Sequence, residues 1–289
     1  MARPDNLDTK IFLDGGDPKE TKDIINTIGF LDGQTTNPSL IAKNPKARER
    51  IEREEKFTRE ELLNFYKGVI RTVSESVPDG SVSIEVYSDS KTSAKEMFEQ
   101  GKEMFSWIPN AHIKYPTTAA GLEAAERSIR NKMRVNMTLI FTQAQAAAVY
   151  AATRGAKKGQ VFVSPFVGRL DDRGENGMDV VKNIVRMYKD GDGHVEVLTA
   201  SVRSINHFLY ALNLGSDIIT APYKIIKEWG DNMEIPGRDY VYETGDLKAI
   251  PYQGLDLMKP RREFDIKHEL TDIGLEKFAA DWNNLIAGN

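Results

Sequence analysis

The chain has 289 residues, 40% of them hydrophobic and 28% charged, with a formal net charge of −4. That is ample material for one large core-forming domain, and the mild acidity argues against a general nucleic-acid binder. No cysteine is present to form a disulfide, a thiolate metal site or a thiol nucleophile; four scattered histidines (His112, His194, His207, His268) lack metal-ligand spacing; and no apolar run reaches the ~18 residues a membrane span needs. Met1 to Asn6 carries no apolar segment of the signal-peptide kind, so a cytoplasmic protein is the simplest expectation.

In chain order, Thr9 to Asp14 reads as a short strand ending on an acid. Asp17-Pro18-Lys19-Glu20 then opens a helix through Ile24, Ile25 and Ile28 that stops at Gly29. Gly33 to Ser39 is a second strand end, unusually polar, with Thr35 and Asn37 at its tip. Residues 42 to 56 are dense in Lys, Arg and Glu and read as a solvated face. Thr58-Arg59-Glu60-Glu61 is a capping box for a helix with Leu62, Tyr66, Val69, Ile70 and Val73 on one side. Ser81 to Val86 is the third strand, with Glu85 near its end, followed by a helix with Met97, Gly101 and Met104 in its core stripe.

The fourth strand, Ala111 to Lys114, delivers a lysine to its C-terminal end, and Pro116 stops the ladder because it has no N–H to donate. Thr118 can cap the helix beginning at Ala119. Arg134 to Leu139 is the fifth strand, with Asn136 and Thr138 on one face, and Thr142-Gln143-Ala144-Gln145 boxes an alanine-rich helix ending at Gly155. Gln160 to Pro165 is the sixth strand, with Ser164 near its tip and Phe166 and Arg169 just beyond. Val195 to Ala200 is the seventh, running into Ser201-Val202-Arg203, and Asp217 to Ala221 is the eighth.

Eight strands alternating with helices predict a single (β/α)8 TIM barrel over residues 1–289. Two features lie outside that plan: an irregular excursion over residues 230–267, and a final helix from Thr271 with Leu275, Phe278, Trp282 and Leu285 in its stripe. Either could serve as a lid or as a contact in a homo-oligomer.

In such a barrel the strand ends converge on one rim. Asp14, Thr35, Asn37, Glu85, Lys114, Asn136, Thr138, Ser164, Ser201 and Arg203, with Arg169 nearby, would meet there. That set suits covalent amine chemistry on a polyhydroxylated, phosphorylated substrate. A neutral lysine attacks a ketone to give a Schiff base, and a carboxylate takes the hydroxyl proton whose loss drives carbon–carbon cleavage. Amide and hydroxyl groups orient sugar hydroxyls, and arginine grips phosphate. His112 reads as a packed strand residue and not as a base.

Leu13-Asp14-Gly15-Gly16-Asp17, Thr35-Thr36-Asn37-Pro38-Ser39-Leu40, Ile113-Lys114-Tyr115-Pro116-Thr117-Thr118, Val135-Asn136-Met137-Thr138 and Ser164-Pro165-Phe166-Val167-Gly168-Arg169 carry a resemblance, in order along the chain, to the transaldolases and the related fructose-6-phosphate aldolases. The resemblance implies Lys114 as the Schiff-base lysine and Asp14 as the acid/base, with Glu85 and Thr138, aided by Thr35, holding a proton-relaying water. It implies Asn37, Asn136 and Ser164 for the dihydroxyacetone end, and Arg169, Ser201 and Arg203 for the phosphate. It implies no metal and no organic cofactor, and sugar phosphates as the small-molecule partners. Glu85 and Phe166 resemble the transaldolases, whereas aldolase relatives tend to carry glutamine and tyrosine there. Transfer of a dihydroxyacetone unit from a ketose phosphate (sedoheptulose 7-phosphate or fructose 6-phosphate) to an aldose phosphate, in the pentose phosphate pathway, is therefore expected; release by a class I aldolase is the alternative. Gly15-Gly16 replaces the more usual polar residue and predicts a looser first turn, and Tyr115 stands where an aliphatic residue is common. Were the 230–267 excursion to cover the rim, the length of substrate would change with it.

Overall fold

The computed structural model describes residues 2–237 and 239–287. Its strands are β1 (Lys10–Asp14), β2 (Gly33–Thr35), β3 (Ser81–Glu85), β4 (Ala111–Pro116), β5 (Val135–Ile140), β6 (Val161–Pro165), β7 (Val195–Thr199) and β8 (Ile218–Ala221). They run parallel and close in chain order, β8 returning to β1 with Lys10 opposite Ile218 and Leu13 opposite Ala221. This is the expected (β/α)8 barrel. Helices clothe the outward face, so the strands are buried on both sides and read as greasy runs, with polar residues where side chains turn inward.

The helices are α1 (Pro18–Ile28), α2 (Pro38–Ala42), α3 (Pro45–Glu52), α4 (Arg59–Ser76), α5 (Ala94–Phe105), α6 (Ala119–Arg130), α7 (Gln143–Ala152), α8 (Val167–Asp171), α9 (Gly177–Tyr188), α10 (Ile205–Asn213), α11 (Tyr223–Gly230) and α12 (Glu269–Asn283). Local chemistry starts them where expected. Asp17 accepts from Lys19 N with Pro18 at the first turn, Thr118 accepts from Gly121 N, and Thr58 with Glu61 and Thr142 with Gln145 form reciprocal boxes. Three local readings need correction. The charged stretch at 42–56 is solvated but mostly helical, because Asn44 caps α3 with Pro45 at its first position. The alanine-rich helix ends at Ala152, before Gly155. The last helix starts at Glu269, because the His268 ring accepts from Leu270 N at 3.2 Å and does a cap's work.

The turn after β1 is tight where the paired glycines predicted looseness. A Cβ on Gly16 would lie 2.4 Å from Leu40 O, so glycine is what lets α2 close against this turn. Gln34 Nε2 donates to Gly15 O at 2.8 Å and Asn44 Nδ2 to Gly16 O at 2.7 Å, fixing both peptides. Tyr115 points away from the barrel interior, and its hydroxyl bonds Ser128 Oγ at 3.0 Å on α6.

The excursion contains a single 3-10 turn, Arg261–Glu263, among its described residues and runs as a strap outside the helical layer. Tyr242 stacks on Tyr210 of α10 with centroids 4.5 Å apart. Asn183 of α9 donates to Ile250 O at 2.9 Å, and Gln143 of α7 exchanges bonds with Gln253 at 2.6 and 2.9 Å. Arg154 then holds Lys259 O at 2.9 Å, and Gln145 donates to Ile266 O at 3.1 Å. The strap thus delivers α12 to the C-terminal rim, where it packs on α2 and β5. No helix among the described residues is long and apolar enough to cross a membrane.

Candidate active site

Lys114 is 3% exposed, and its Nζ lies 3.0 Å from Glu85 Oε2 and donates to Thr36 O at 3.0 Å. Strand register produces this meeting, since Glu85 on β3 sits opposite Lys114 on β4. Burial pushes the Glu85 carboxyl above the ordinary carboxylate range, against the pull of the neighbouring ammonium. Asp14, at the end of β1, accepts from Thr35 Oγ1 at 2.7 Å, and Thr35 also meets Thr220 Oγ1 at 2.6 Å. Burial raises the Asp14 carboxyl too, while Lys114, the Thr35 bond and Lys43 pull the other way. Deeper in the barrel, Ser164 Oγ donates to Asn136 Oδ1 at 2.7 Å and Asn136 Nδ2 to Ser83 Oγ at 3.1 Å. Thr138 Oγ1 is buried with no hydrogen-bond partner among the described residues, as is Glu85 Oε2, whose contact with the lysine is poorly directed for a hydrogen bond.

A cleft of about 220 Å³ opens above these groups. Of the anticipated residues, Asp14, Thr35, Asn37, Lys114, Ser164, Phe166, Arg169 and Ser201 line it. Glu85, Asn136 and Thr138 stand behind that surface, buried. Asn37 caps α2, its Oδ1 accepting from Leu40 N at 2.9 Å. The Arg169 guanidinium lies between the rings of Phe166 and Phe278, 5.6 Å from each centroid, and burial with the nearby Arg203 charge lowers its proton affinity. Arg203 is exposed and ion-paired with Asp172, outside the cleft wall. His207 supports its turn, Nδ1 accepting from Arg203 N at 3.3 Å while Nε2 faces Asp171 Oδ2 at 2.8 Å.

The backbone bends sharply at this rim. Leu139 has φ +59° and Ser201 φ +58°, a region that costs a non-glycine residue about 1–3 kcal/mol and is retained where the surroundings enforce it. Leu139 interrupts the β5–β6 register, and its carbonyl accepts from Thr271 Oγ1 of α12 at 3.0 Å.

Several cleft residues escaped the sequence reading: Ser39, Leu40, Lys43, Ala200, Thr220, Lys277 and Phe278. Thr220 was findable, since it points inward beside Thr35 near the end of a strand already recognised. Lys277 and Phe278 come from α12, while none of the described residues of 230–267 lines the cleft, so that part of the excursion does not cover the rim. A larger cleft of about 490 Å³ lies at the opposite end of the barrel, floored by Phe12, His112 and Phe162. His112 stacks on Phe162 at 4.1 Å, is bonded to Ser81 Oγ and Gly159 O, and has its pKa pushed down to about 3 by burial. It is a packing residue, as expected. Among the described residues no three His, Asp or Glu side chains gather as a metal ion would require.

Residues 11–288 match the family described as Transaldolase/Fructose-6-phosphate aldolase. The chain belongs to that family. It is 32% identical to a probable transaldolase of Dehalococcoides mccartyi over 96% of this chain and 99% of that one. It is 35% identical to a probable transaldolase of Brucella anthropi over 94% and 96%, and 34% identical to one of an Exiguobacterium species over 95% and 98%. It is therefore an enzyme of the transaldolase family.

Proposed function

We propose that this enzyme is a transaldolase acting in the cytoplasm within the pentose phosphate pathway. It moves a dihydroxyacetone unit from sedoheptulose 7-phosphate or fructose 6-phosphate to an aldose phosphate. The observation that carries this reading is the Lys114 amine, buried at the C-terminal rim against Glu85 and sharing a cleft with Asp14 and Arg169.

Lys114 adds to the C2 ketone, and loss of water from the carbinolamine leaves an iminium. Asp14 takes the C4 hydroxyl proton, the C3–C4 bond breaks, its electron pair flows into the iminium, and the aldose phosphate departs. The retained enamine attacks the aldehyde of a second aldose phosphate, Asp14 returns the proton to the new alkoxide, and water hydrolyses the iminium. Glu85 is the proton acceptor beside the amine, and the unpartnered hydroxyl of Thr138 suits a residue that holds the water of these steps. Asn136 and Ser164, fixed by each other, orient the hydroxyls of the three-carbon unit. Asn37 spends its carbonyl oxygen on the α2 cap, so its NH2 is the end available to substrate. Arg169 takes the phosphate, with Ser201 beside it, and Arg203 adds charge from behind once released from Asp172.

Phe166 favours transfer over release, because its ring has no proton to give the enamine carbon. Borohydride treatment in the presence of fructose 6-phosphate should add a reduced three-carbon unit to Lys114, and adding erythrose 4-phosphate should redirect that unit into a seven-carbon product. An unmodified Lys114 would sink the reading. Rapid release of free dihydroxyacetone without acceptor would support the aldolase instead.

A further inference from the structure

Tyr66 sits on α4, outside the ring of strands, and occupies an apolar-stripe position, yet its hydroxyl ends at the active site. Glu85 N donates to Tyr66 Oη at 3.0 Å, Oη and Thr36 Oγ1 are 2.7 Å apart, and Thr36 Oγ1 donates to Ser83 O at 2.8 Å. Donor counting fixes the direction of the middle bond. The threonine has one hydroxyl proton and gives it to Ser83 O, so the tyrosine supplies the proton between the two oxygens. The chain runs from the Glu85 amide through Tyr66 and Thr36 to the Ser83 carbonyl, with every member satisfied. Burial pushes the phenol well above its ordinary pKa, so it remains a donor. Its ring is held edge-on by Trp107 and by Trp282 of α12, each 5.8 Å away between centroids.

Glu85 and Thr36 also contact the Lys114 amine, one through its carboxylate and the other through its carbonyl. We propose that Tyr66 is a positioning residue for Lys114: its hydroxyl staples the ends of β2 and β3 together and so sets where the amine stands. This rests on the Schiff-base reading of Lys114. The tyrosine touches no substrate and acts through the two residues it holds, accepting from the Glu85 amide and donating to the Thr36 hydroxyl.

The test compares Tyr66→Phe with Tyr188→Phe, a control that loses a hydroxyl bond of 2.8 Å to Ala146 O between α9 and α7, neither residue lining the cleft. Tyr66→Phe should slow both kcat and borohydride-trapped adduct formation at saturating fructose 6-phosphate on the order of 10-fold, less than the ~100-fold of a 1 Å misplacement, with KM little changed. Tyr188→Phe should lose thermal stability and keep its kcat. Thr36→Val removes the acceptor of the same hydroxyl and should act in parallel, with no further loss in the double variant, since both cut one chain. It also carries the test by the same readouts if Tyr66→Phe does not fold. A Tyr66→Phe enzyme that loses stability but traps adduct at the parent rate overturns the proposal alone. Failure of the parent enzyme to form any adduct overturns the lysine reading and this proposal with it.

Discussion

Asp14 is pulled two ways: burial favours its neutral form, while Lys114, Thr35 and Lys43 favour the ion that the proposed mechanism uses. Its folded pKa lies above the unfolded value, so its contribution to stability is whole at acid pH and is lost as pH rises through the folded value. Asp14→Asn removes that loss while keeping an acceptor for Thr35. The variant should match the parent's melting temperature below the ordinary aspartate pKa, exceed it increasingly as pH rises through the raised value, and have almost no transfer activity. Calorimetry across pH checks the first part, and a constant difference at all pH values would contradict it. Phe166→Tyr works at the same scale. A phenol at the cleft wall can protonate the enamine, so the ratio of free dihydroxyacetone to transferred product should rise, and a variant with the parent's ratio would count against this account of the enamine.

Among elements, α12 shows most clearly where sequence reading runs out. Asp14, Glu85 and Lys114 were legible because each breaks a greasy strand at its end, where a barrel gathers side chains. Tyr66 was not, because a tyrosine in an apolar stripe reads as core, and only the fold reveals where its hydroxyl goes. Phe278 read as core and Lys277 was passed over, since nothing local says that a helix after a long irregular strap returns to the rim. Gly274 makes the return possible. A Cβ there would lie 2.5 Å from Leu139 Cδ2 and 2.8 Å from Arg169 Nη1, and Leu139 is already in the left-handed region. Gly274→Val should therefore displace Arg169. We expect KM for fructose 6-phosphate to rise on the order of 10-fold, the worth of a charge-assisted bond, with much less change for unphosphorylated fructose. Overpacking should also cost about 1–3 kcal/mol of stability. Equal loss on both sugars would mean that Arg169 does not read the phosphate.

For the molecule as a whole, strap and helix are separable. Val241, 79% exposed, lies between two points where the strap's backbone is tied to the rest of the chain, Gly237 O accepting from Asn213 Nδ2 and Lys248 pairing with Gly174 and Asn176, so a protease should cut there first. The helix has its own anchors: Asp281 accepts from Ser39, Trp282 packs on Tyr66, and Phe57 N donates to Leu285 O at 2.9 Å. Thermolysin-nicked enzyme should run as two fragments under denaturing conditions, elute as one species otherwise, and keep most of its activity. Dissociation or inactivation on nicking would make the strap itself a working part.

The ring of strands is complete once Ile218–Ala221 pairs with Lys10–Leu13, whereas Lys277 and Phe278 follow only after the whole strap. On a ribosome, the barrel can close while its cleft still lacks a wall and the Tyr66 ring one of its two tryptophan neighbours. Closing the barrel and completing the cleft are then successive events in the life of each newly made molecule, and a translation stall within the strap would leave a sound barrel with an unfinished cleft.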